Sequence, residues 1–191
     1  MIFFKKKYTQ LTDEELMLLL VDKDKLAFHE IYSRYSKPLL NFFYNMLNYD
    51  KANAEDLLHD LFLKIIERPQ LFDSSRKFSA WIYTVASNMI KNEYRNRQTH
   101  AQHHQLFSNG TNTTVLNDQK VDENRFYDYL HMELNKIDDE LRTMFHLRYI
   151  DQMTFKEIAT IFQCPEGTVK SRLFYLTKNL STKLSFLNPN K

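Results

Sequence analysis

The chain has 191 residues, of which 43% are hydrophobic and 14% aromatic, so it has enough apolar material for a folded core. Its two glycines, Gly110 and Gly167, cannot build a glycine-rich phosphate loop, and its one cysteine, Cys164, excludes a disulfide framework or a multi-cysteine zinc finger. The net charge is only +2, but acidic residues gather in positions 11–30 and basic residues in 76–97, which suits a protein with separate protein-binding and nucleic-acid-binding surfaces.

Targeting signals are weak in this chain. Residues 1–7 are apolar and then basic, which is the reverse of a secretory signal. No run reaches the roughly 18 apolar residues that a membrane span requires. A soluble, cytoplasmic protein without cofactors is therefore expected.

Helical periodicity dominates the first part of the chain, and strand signals are weak. Thr12 and Glu15 form a capping-box pattern, which predicts the start of a helix. A second helix is expected through residues 27–35. Pro38 is expected to open a third, because proline suits the first turn of a helix.

The most regular helical pattern covers residues 53–67. One side is a wide apolar stripe, and the other side carries Asp56, His59, Asp60 and Lys64. Polar faces of this kind are most often simply solvated, so the pattern by itself assigns no function.

A loop is predicted for residues 68–77 and a helix for residues 78–97. The helix has a polar stripe of Thr84, Asn88, Lys91 and Arg95, with Lys77, Trp81 and Tyr83 at its edges. Cations can follow phosphates, and exposed rings can stack on unpaired bases for about 1–3 kcal/mol per base, so the stripe suits single-stranded nucleic acid. The alternative is that Trp81 and Tyr83 belong to the core, which is the commoner place for aromatic residues.

Residues 98–122 are polar and lack periodicity, which predicts a flexible linker. His100, His103 and His104 lie in it, but three histidines without a cysteine or carboxylate partner are weak evidence for a zinc site. We therefore predict no metal.

Residues 154–184 predict a helix-turn-helix. Thr154 and Glu157 form a capping box before a short amphipathic helix, and Pro165 opens a longer one after a tight turn. The exposed side of the second helix is basic and rich in hydroxyl groups. An ordinary helical hairpin would show similar spacing, so periodicity alone leaves both interpretations open.

The segment EIATIFQCPEGTVKSRL resembles the second DNA-binding region of bacterial sigma factors, most closely the small extracytoplasmic-function type. AEDLLHDLFLKI resembles the sigma segment that docks on the RNA polymerase clamp, and KFSAWIYTVASNMIKNEYRNR resembles the segment that recognises and melts the −10 promoter element. The resemblance covers residues 25–97 and 123–184.

The resemblance implies three sets of contact residues. Asp56, His59 and Asp60 would face core polymerase. The −10 contacts would be Arg76, Lys77, Phe78, Trp81, Thr84, Asn88, Lys91 and Arg95. The −35 contacts would be Thr168, Lys170, Ser171, Arg172, Tyr175 and Lys178. The implied partners are the clamp and flap of RNA polymerase core, promoter DNA as a −35 duplex and a −10 single strand, and an anti-sigma factor that can be membrane-bound.

We thus predict an all-α protein of two small helical domains, residues 11–97 and 123–187, joined by the flexible linker 98–122. The second domain would be a helix-turn-helix. The function expected is a sigma factor, not an enzyme. The main alternative is a freestanding helix-turn-helix regulator, which would bind duplex DNA without polymerase. A zinc- or carboxylate-dependent enzyme and a helical adaptor are more remote, because no paired catalytic motif is present.

Overall fold

The structure is a computed structural model that describes residues 8–105 and 123–187. Within these ranges all regular structure is helical. The first unit contains α1 (Asp13–Val21), α2 (Lys25–Met46), α3 (Lys51–Glu67), a 3-10 turn (Pro69–Leu71) and α4 (Phe78–Gln105). The second unit contains α5 (Glu123–Leu134), α6 (Asp139–Tyr149), α7 (Phe155–Phe162), α8 (Glu166–Lys183) and a 3-10 turn (Ser185–Leu187). The all-α prediction with two helical units is confirmed.

Local capping signals set several helix starts. The Glu15 N–H donates to the Thr12 hydroxyl at 3.2 Å, and the Thr12 N–H donates to the Glu15 carboxylate at 2.7 Å. Thr154 and Glu157 repeat this capping box at 3.2 and 2.8 Å before α7. Both satisfy backbone donors that the first turn of a helix leaves unpaired.

The predicted helix start at Pro38 is wrong, because α2 runs through Pro38 as one helix. A proline inside a helix costs about 3 kcal/mol. Ile31, Leu39 and Phe42 lie on both sides of it and are fully buried. Each such burial contributes about 1.5–3 kcal/mol, so tertiary packing outweighs the local penalty.

Helix α4 is longer than predicted. It continues to Gln105, so the first residues of the predicted linker 98–122 are helical rather than irregular. Residues 106–122, and the side chains of His100, His103 and His104, lie outside the described part of the chain.

The turn between α6 and α7 contains Gln152, whose φ of 56° lies in the left-handed region that glycine adopts most easily. The turn between α7 and α8 has a second such residue, Gln163, with φ 51°. The Cys164 N–H then donates to the Ala159 carbonyl at 3.1 Å, which closes the end of α7. These two turns set the angles at which α6, α7 and α8 meet.

The two units pack against each other, which the sequence analysis did not predict. The Phe42 ring of α2 meets the His146 ring of α6 with 5.5 Å between centroids. Lys91 of α4 lies over the Phe162 ring of α7 at 5.6 Å. The buried cluster therefore runs continuously from α2 and α4 into α6, α7 and α8.

Candidate nucleic-acid interface

The polar face of α3 is open to solvent. Asp56, His59 and Asp60 are exposed, while Leu58, Leu61 and other residues of the opposite face are buried against α2. Leu63 lies one turn beyond Asp60 on the same face and is 41% exposed. The helical periodicity does not single out Leu63, because this residue lies outside the apolar stripe.

The loop before α4 presents two cations. Asp73 accepts hydrogen bonds from the Ser75 N–H at 3.0 Å and the Ser75 hydroxyl at 2.7 Å, which shapes the turn. Arg76 pairs with Asp73 at 3.4 Å, and Lys77 pairs with Glu14 at 3.8 Å. Both basic side chains are highly exposed, so their ion pairs are weak and can exchange with phosphates.

The first turn of α4 is part of the core, which corrects one predicted contact. Phe78 is fully buried, and its ring packs against those of Tyr35, Phe72 and Trp81 with centroids 5.1 to 5.7 Å apart. The Phe78 side chain therefore has no surface for DNA. Its backbone N–H donates to the Glu14 carboxylate at 3.0 Å, which caps the helix instead.

The aromatic residues beside the polar stripe are at least partly buried. Trp81 is half-buried against Phe72 and Phe78, and Tyr83 is 4% exposed. The core alternative is thus right for Tyr83. Trp81 keeps part of its side chain accessible, so of these two residues only Trp81 can still meet a base. Burial is the main reason that the pKa of the Tyr83 phenol is raised, and the Asp151 carboxylate adds to the effect.

The polar stripe of α4 is present, but its residues differ in exposure and in their partners. Asn88 and Arg95 are exposed, and Thr84 is half-buried with its hydroxyl donating to the Ala80 carbonyl at 2.8 Å. The Arg95 guanidinium donates to the Asn92 side chain at 3.3 Å. Lys91 is turned toward the second unit, where it pairs with Glu140 at 3.8 Å.

The predicted face of α8 is open along its length. Its exposed residues are Lys170, Ser171, Arg172, Tyr175 and Lys178, and Thr168 is half-buried. Lys170 pairs with Glu166 at 2.6 Å, whereas Arg172 pairs with Glu140 of α6 at 2.6 Å. Val169, Leu173, Leu176 and Leu180 form the opposite, buried side. The helix-turn-helix thus presents basic, hydroxyl and aromatic groups together.

Phe174 is a residue that the sequence analysis did not select. It is 61% exposed and packs edge-to-face on Tyr175, itself 67% exposed, at 5.5 Å. It lies one turn after Ser171 and one turn before Lys178, within the open face. In the sequence, the exposure of Phe174 is indicated by its position outside the leucine stripe of α8.

No group of three or more histidine, cysteine or acidic side chains is placed to hold a metal ion within residues 8–105 and 123–187. In the same ranges, no helix is long and apolar enough to cross a bilayer.

The fold and these surfaces define a helical protein of two units, the second a helix-turn-helix with an exposed basic face. Two family models match: Sigma-70 region 2 over residues 31–100, and Sigma-70, region 4 over residues 127–174. The chain belongs to the sigma-70 family of bacterial RNA polymerase sigma factors, in its extracytoplasmic-function subfamily. As such it is not an enzyme, and it directs RNA polymerase to promoters.

Similar proteins agree over most of the chain. It is 28% identical over 163 residues to the ECF RNA polymerase sigma factor SigW of Bacillus subtilis, covering 78% of this chain and 84% of that one. It is 27% identical over 187 residues to the ECF RNA polymerase sigma-E factor of Haemophilus influenzae, covering 92% and 96%.

Two solved structures share the fold. CnrH, in complex with the cytosolic domain of CnrY, superposes with a TM-score of 0.68 at 20% identity, covering 91% of this chain and 97% of that chain. RpoE of Bartonella quintana, in complex with the anti-sigma factor NepR, gives a TM-score of 0.64 at 21% identity, covering 83% and 96%.

Proposed function

We propose that α8 reads the −35 element in the major groove. The observation that carries this is its open face, where Ser171, Tyr175 and Lys178 stand on the side opposite the buried leucines. Arg172 would pair with guanine O6 and N7, and Lys170 and Lys178 would contact phosphates. Phe174 would touch a thymine methyl group, the apolar feature of the groove that an exposed phenyl ring fits.

The N-terminal unit would open and hold the −10 element. Arg76 and Lys77 in the exposed loop, and Asn88, Lys91 and Arg95 on α4, would follow the strand, with the half-buried Trp81 beside them. Flipping one base costs a few kcal/mol, which binding of that base offsets, so melting needs no nucleotide hydrolysis. Phe78 supports this site from the core and does not contact DNA.

The exposed face of α3 would dock on the polymerase clamp. Asp56, His59 and Asp60 supply polar contacts there. Leu63 adds an apolar contact at the end of the same face, where it would lose its exposure on binding. The second unit would in addition approach the flap of RNA polymerase.

The protein would act in the cytoplasm and be held inactive by an anti-sigma factor. Support for an inhibitor comes from the structurally similar RpoE, which was solved with the anti-sigma factor NepR.

Transcription in vitro tests the assignment. The purified chain and core polymerase would be given a library of random promoters, and the transcribed sequences would be selected. We expect enrichment of two separated elements, with no specific duplex binding by the chain alone. Tight specific binding without core, and no transcription with it, would instead identify a freestanding regulator.

A docking variant sharpens the test. Asp56→Lys with Asp60→Lys should abolish binding to core, while Asp22→Lys, an acidic-to-basic change at an exposed position after α1, should leave binding intact. Equal loss in both would show a general charge effect rather than a docking face.

A further inference from the structure

The residue at the N-terminal cap of α4 cannot accept a hydrogen bond through its side chain. The Trp81 N–H donates to the Lys77 carbonyl at 3.1 Å, which makes Lys77 the residue just before the first helical turn. Caps at this position are usually Ser, Thr, Asp or Asn, whose side-chain oxygen accepts a first-turn N–H. A lysine ammonium has three donors and no acceptor. An acceptor for the first turn of α4 must therefore come from outside Lys77.

Glu14 of α1 supplies that acceptor from 64 positions earlier in the chain. Its Oε1 accepts the Phe78 N–H at 3.0 Å and lies 3.8 Å from the Lys77 ammonium. One carboxylate oxygen thus caps the helix and pairs with the residue at which the helix starts. Burial opposes the charged form of Glu14, but the Phe78 N–H, the N–H of Glu14 itself and the Lys77 charge outweigh it. The pKa of Glu14 is therefore lowered, and the carboxylate stays ionised at neutral pH.

Helix α1 is itself bonded to α2 beside this contact. The Asp13 carboxylate, next to Glu14, pairs with Arg34 at 2.7 Å and accepts the Tyr35 hydroxyl. Arg34 also donates to the Leu11 carbonyl at 3.0 Å, so α2 holds the start of α1 through a side chain and through the backbone. All of these bonds are partly buried. Glu14 is therefore presented to α4 from a fixed position.

The loop that ends at this cap is the one that presents the −10 cations. Phe72 is buried and its ring packs on that of Phe78 with centroids 5.3 Å apart, which fixes the loop at its first end. Glu14 fixes it at the second end, through the Phe78 N–H. Residues 73–77 between these two points are all exposed. Five residues between two fixed ends have few conformations, so a shift of either end changes the shape of the loop.

We propose that Glu14 is a positioning residue for recognition of the −10 element, because by capping α4 it holds residues 73–77 in the shape that captures an unpaired base. The proposal rests on the proposed role of the N-terminal unit at that element. Glu14 acts through the Phe78 backbone and does not itself contact DNA. Lys77 is 81% exposed and its pair with Glu14 is weak, so its ammonium can turn to a phosphate while the cap stays in place.

The test compares Glu14→Ala with Glu15→Ala in the full chain bound to core polymerase. Both variants remove one acidic side chain from the first turn of α1. Both also remove a cap contact, since Glu15 accepts the Thr12 N–H at 2.7 Å, but only Glu14→Ala removes the cap of α4. Glu14→Gln is the third variant, which keeps a side-chain oxygen for the Phe78 N–H and loses the charge.

Base capture would be measured with a forked promoter template whose −10 strand is unpaired and carries an abasic site at each position in turn. In the parent complex, one abasic position should weaken binding more than the others. Glu14→Ala should reduce the effect of that position about fivefold, the typical factor for loss of a helix cap, while Glu15→Ala should keep it. Glu14→Gln should keep most of it. A general loss of stability would instead weaken binding to every template equally.

A Glu14→Ala complex with full dependence on that base would overturn the proposal, as would an equal loss in Glu15→Ala. Loss in Glu14→Gln as complete as in Glu14→Ala would overturn it too, because charge rather than capping would then carry the effect. Should Glu14→Ala fail to bind core polymerase, Glu14→Asp replaces it, since it keeps the charge and draws the oxygen back by one methylene; it should also lose the dependence, and full dependence in it would overturn the proposal.

The parent complex tests the proposed function separately. If it binds every abasic template equally, the role of the N-terminal unit at the −10 element is wrong, and the role of Glu14 is wrong with it. If it depends on one base and the Glu14 variants do so equally, only the role of Glu14 is wrong.

Discussion

The two helices that we propose to contact DNA, α4 and α8, differ in how their other faces pack. Helix α8 buries one leucine stripe within the helix-turn-helix and leaves the opposite face open. Helix α4 buries Ile82 and Met89 in addition to Tyr83, which faces the interface between the units, so only a narrow strip remains for nucleic acid. A helix with one partner keeps a full recognition face, whereas a helix shared by two units keeps only part of it.

The ion pairs follow the same division. Lys170 of α8 pairs with Glu166 on its own helix, so exchanging that partner for a phosphate requires no movement of the backbone. Lys91 of α4 pairs with Glu140 of the other unit, so the same exchange requires the units to move apart. Arg172 is the exception on α8, because it shares Glu140 with Lys91.

The largest expected effect concerns the buried start of α4. Phe78→Ala should lower the free energy of unfolding by about 3–5 kcal/mol, because it leaves a cavity among Tyr35, Phe72 and Trp81. Arg76→Ala, two residues earlier and exposed, should change stability by less than about 0.5 kcal/mol. Urea denaturation measures both. If Phe78→Ala had normal stability but impaired promoter melting, Phe78 would contact DNA and its role in the core would be wrong.

The next largest effect is expected for the exposed cations of α4. Lys91→Ala with Arg95→Ala should weaken open-complex formation and reduce the slope of log affinity against log salt by about 2, one for each phosphate contact. Permanganate reactivity at the −10 element reports the melting. Unchanged footprints in the double variant would remove these residues from the −10 site.

Arg172→Ala tests base reading by α8. If Arg172 bonds one guanine, discrimination at a single −35 position should fall by about 1–3 kcal/mol in binding assays over all base substitutions. Lys178→Ala is the control, which should weaken binding uniformly. A uniform loss for Arg172→Ala would reassign it to phosphate contact or to its Glu140 pair.

A smaller effect is expected in the turn that orients the helix-turn-helix. Gln152→Gly should stabilise the protein by about 0.5 kcal/mol, because glycine removes the left-handed strain of about 1–2 kcal/mol but gains entropy in the unfolded chain. Thermal unfolding of Gln152→Gly and Gln152→Ala measures this. A stabilising alanine would show that the turn is not strained.

The smallest effect concerns pH and the contact between units. The His131 ring of α5 stacks on Tyr49 with 4.6 Å between centroids. Burial lowers the pKa of His131 below its usual 6.5, the Arg142 charge lowers it further, and Asp128 opposes this.

Because the pKa of His131 is lowered in the folded form, the unfolded form takes up the proton more readily. The stabilising contribution is therefore present above pH 6.5 and is lost as the pH falls below it. His131→Gln should flatten the pH dependence of stability below about pH 6.5, where the unfolded form binds a proton that the folded form does not. An identical pH profile in this variant would exclude His131 as the titrating group.

Two capping boxes and the exposed faces of α3 and α8 could be predicted from the sequence alone. The capping boxes at Thr12 and Thr154 act through side chains three residues away, so they need no distant partner. The faces of α3 and α8 follow from a single apolar stripe each, and this placed Asp60 and Tyr175 outside correctly. The family motifs lie on these same segments, which is why the function could be inferred before the fold was known.

Other features needed the packed structure. Pro38 stays inside α2 because Leu39 and Phe42 are buried by other helices, and a one-dimensional pattern carries no measure of that packing. The family resemblance implied Phe78 as a −10 contact, but the packed structure surrounds its ring with Tyr35, Phe72 and Trp81. Burial is a property of neighbours, and those neighbours come from separate helices.

Sequence by itself determined that the chain is helical, the capping boxes at Thr12 and Thr154, and which side chains face outward on α3 and α8, because these depend on residues within a few turns of each other. The tertiary structure decided that the units close on one another and that Glu140 meets Lys91 and Arg172. Those three residues are 32 to 81 positions apart along the chain, so only the folded backbone could bring their charges together.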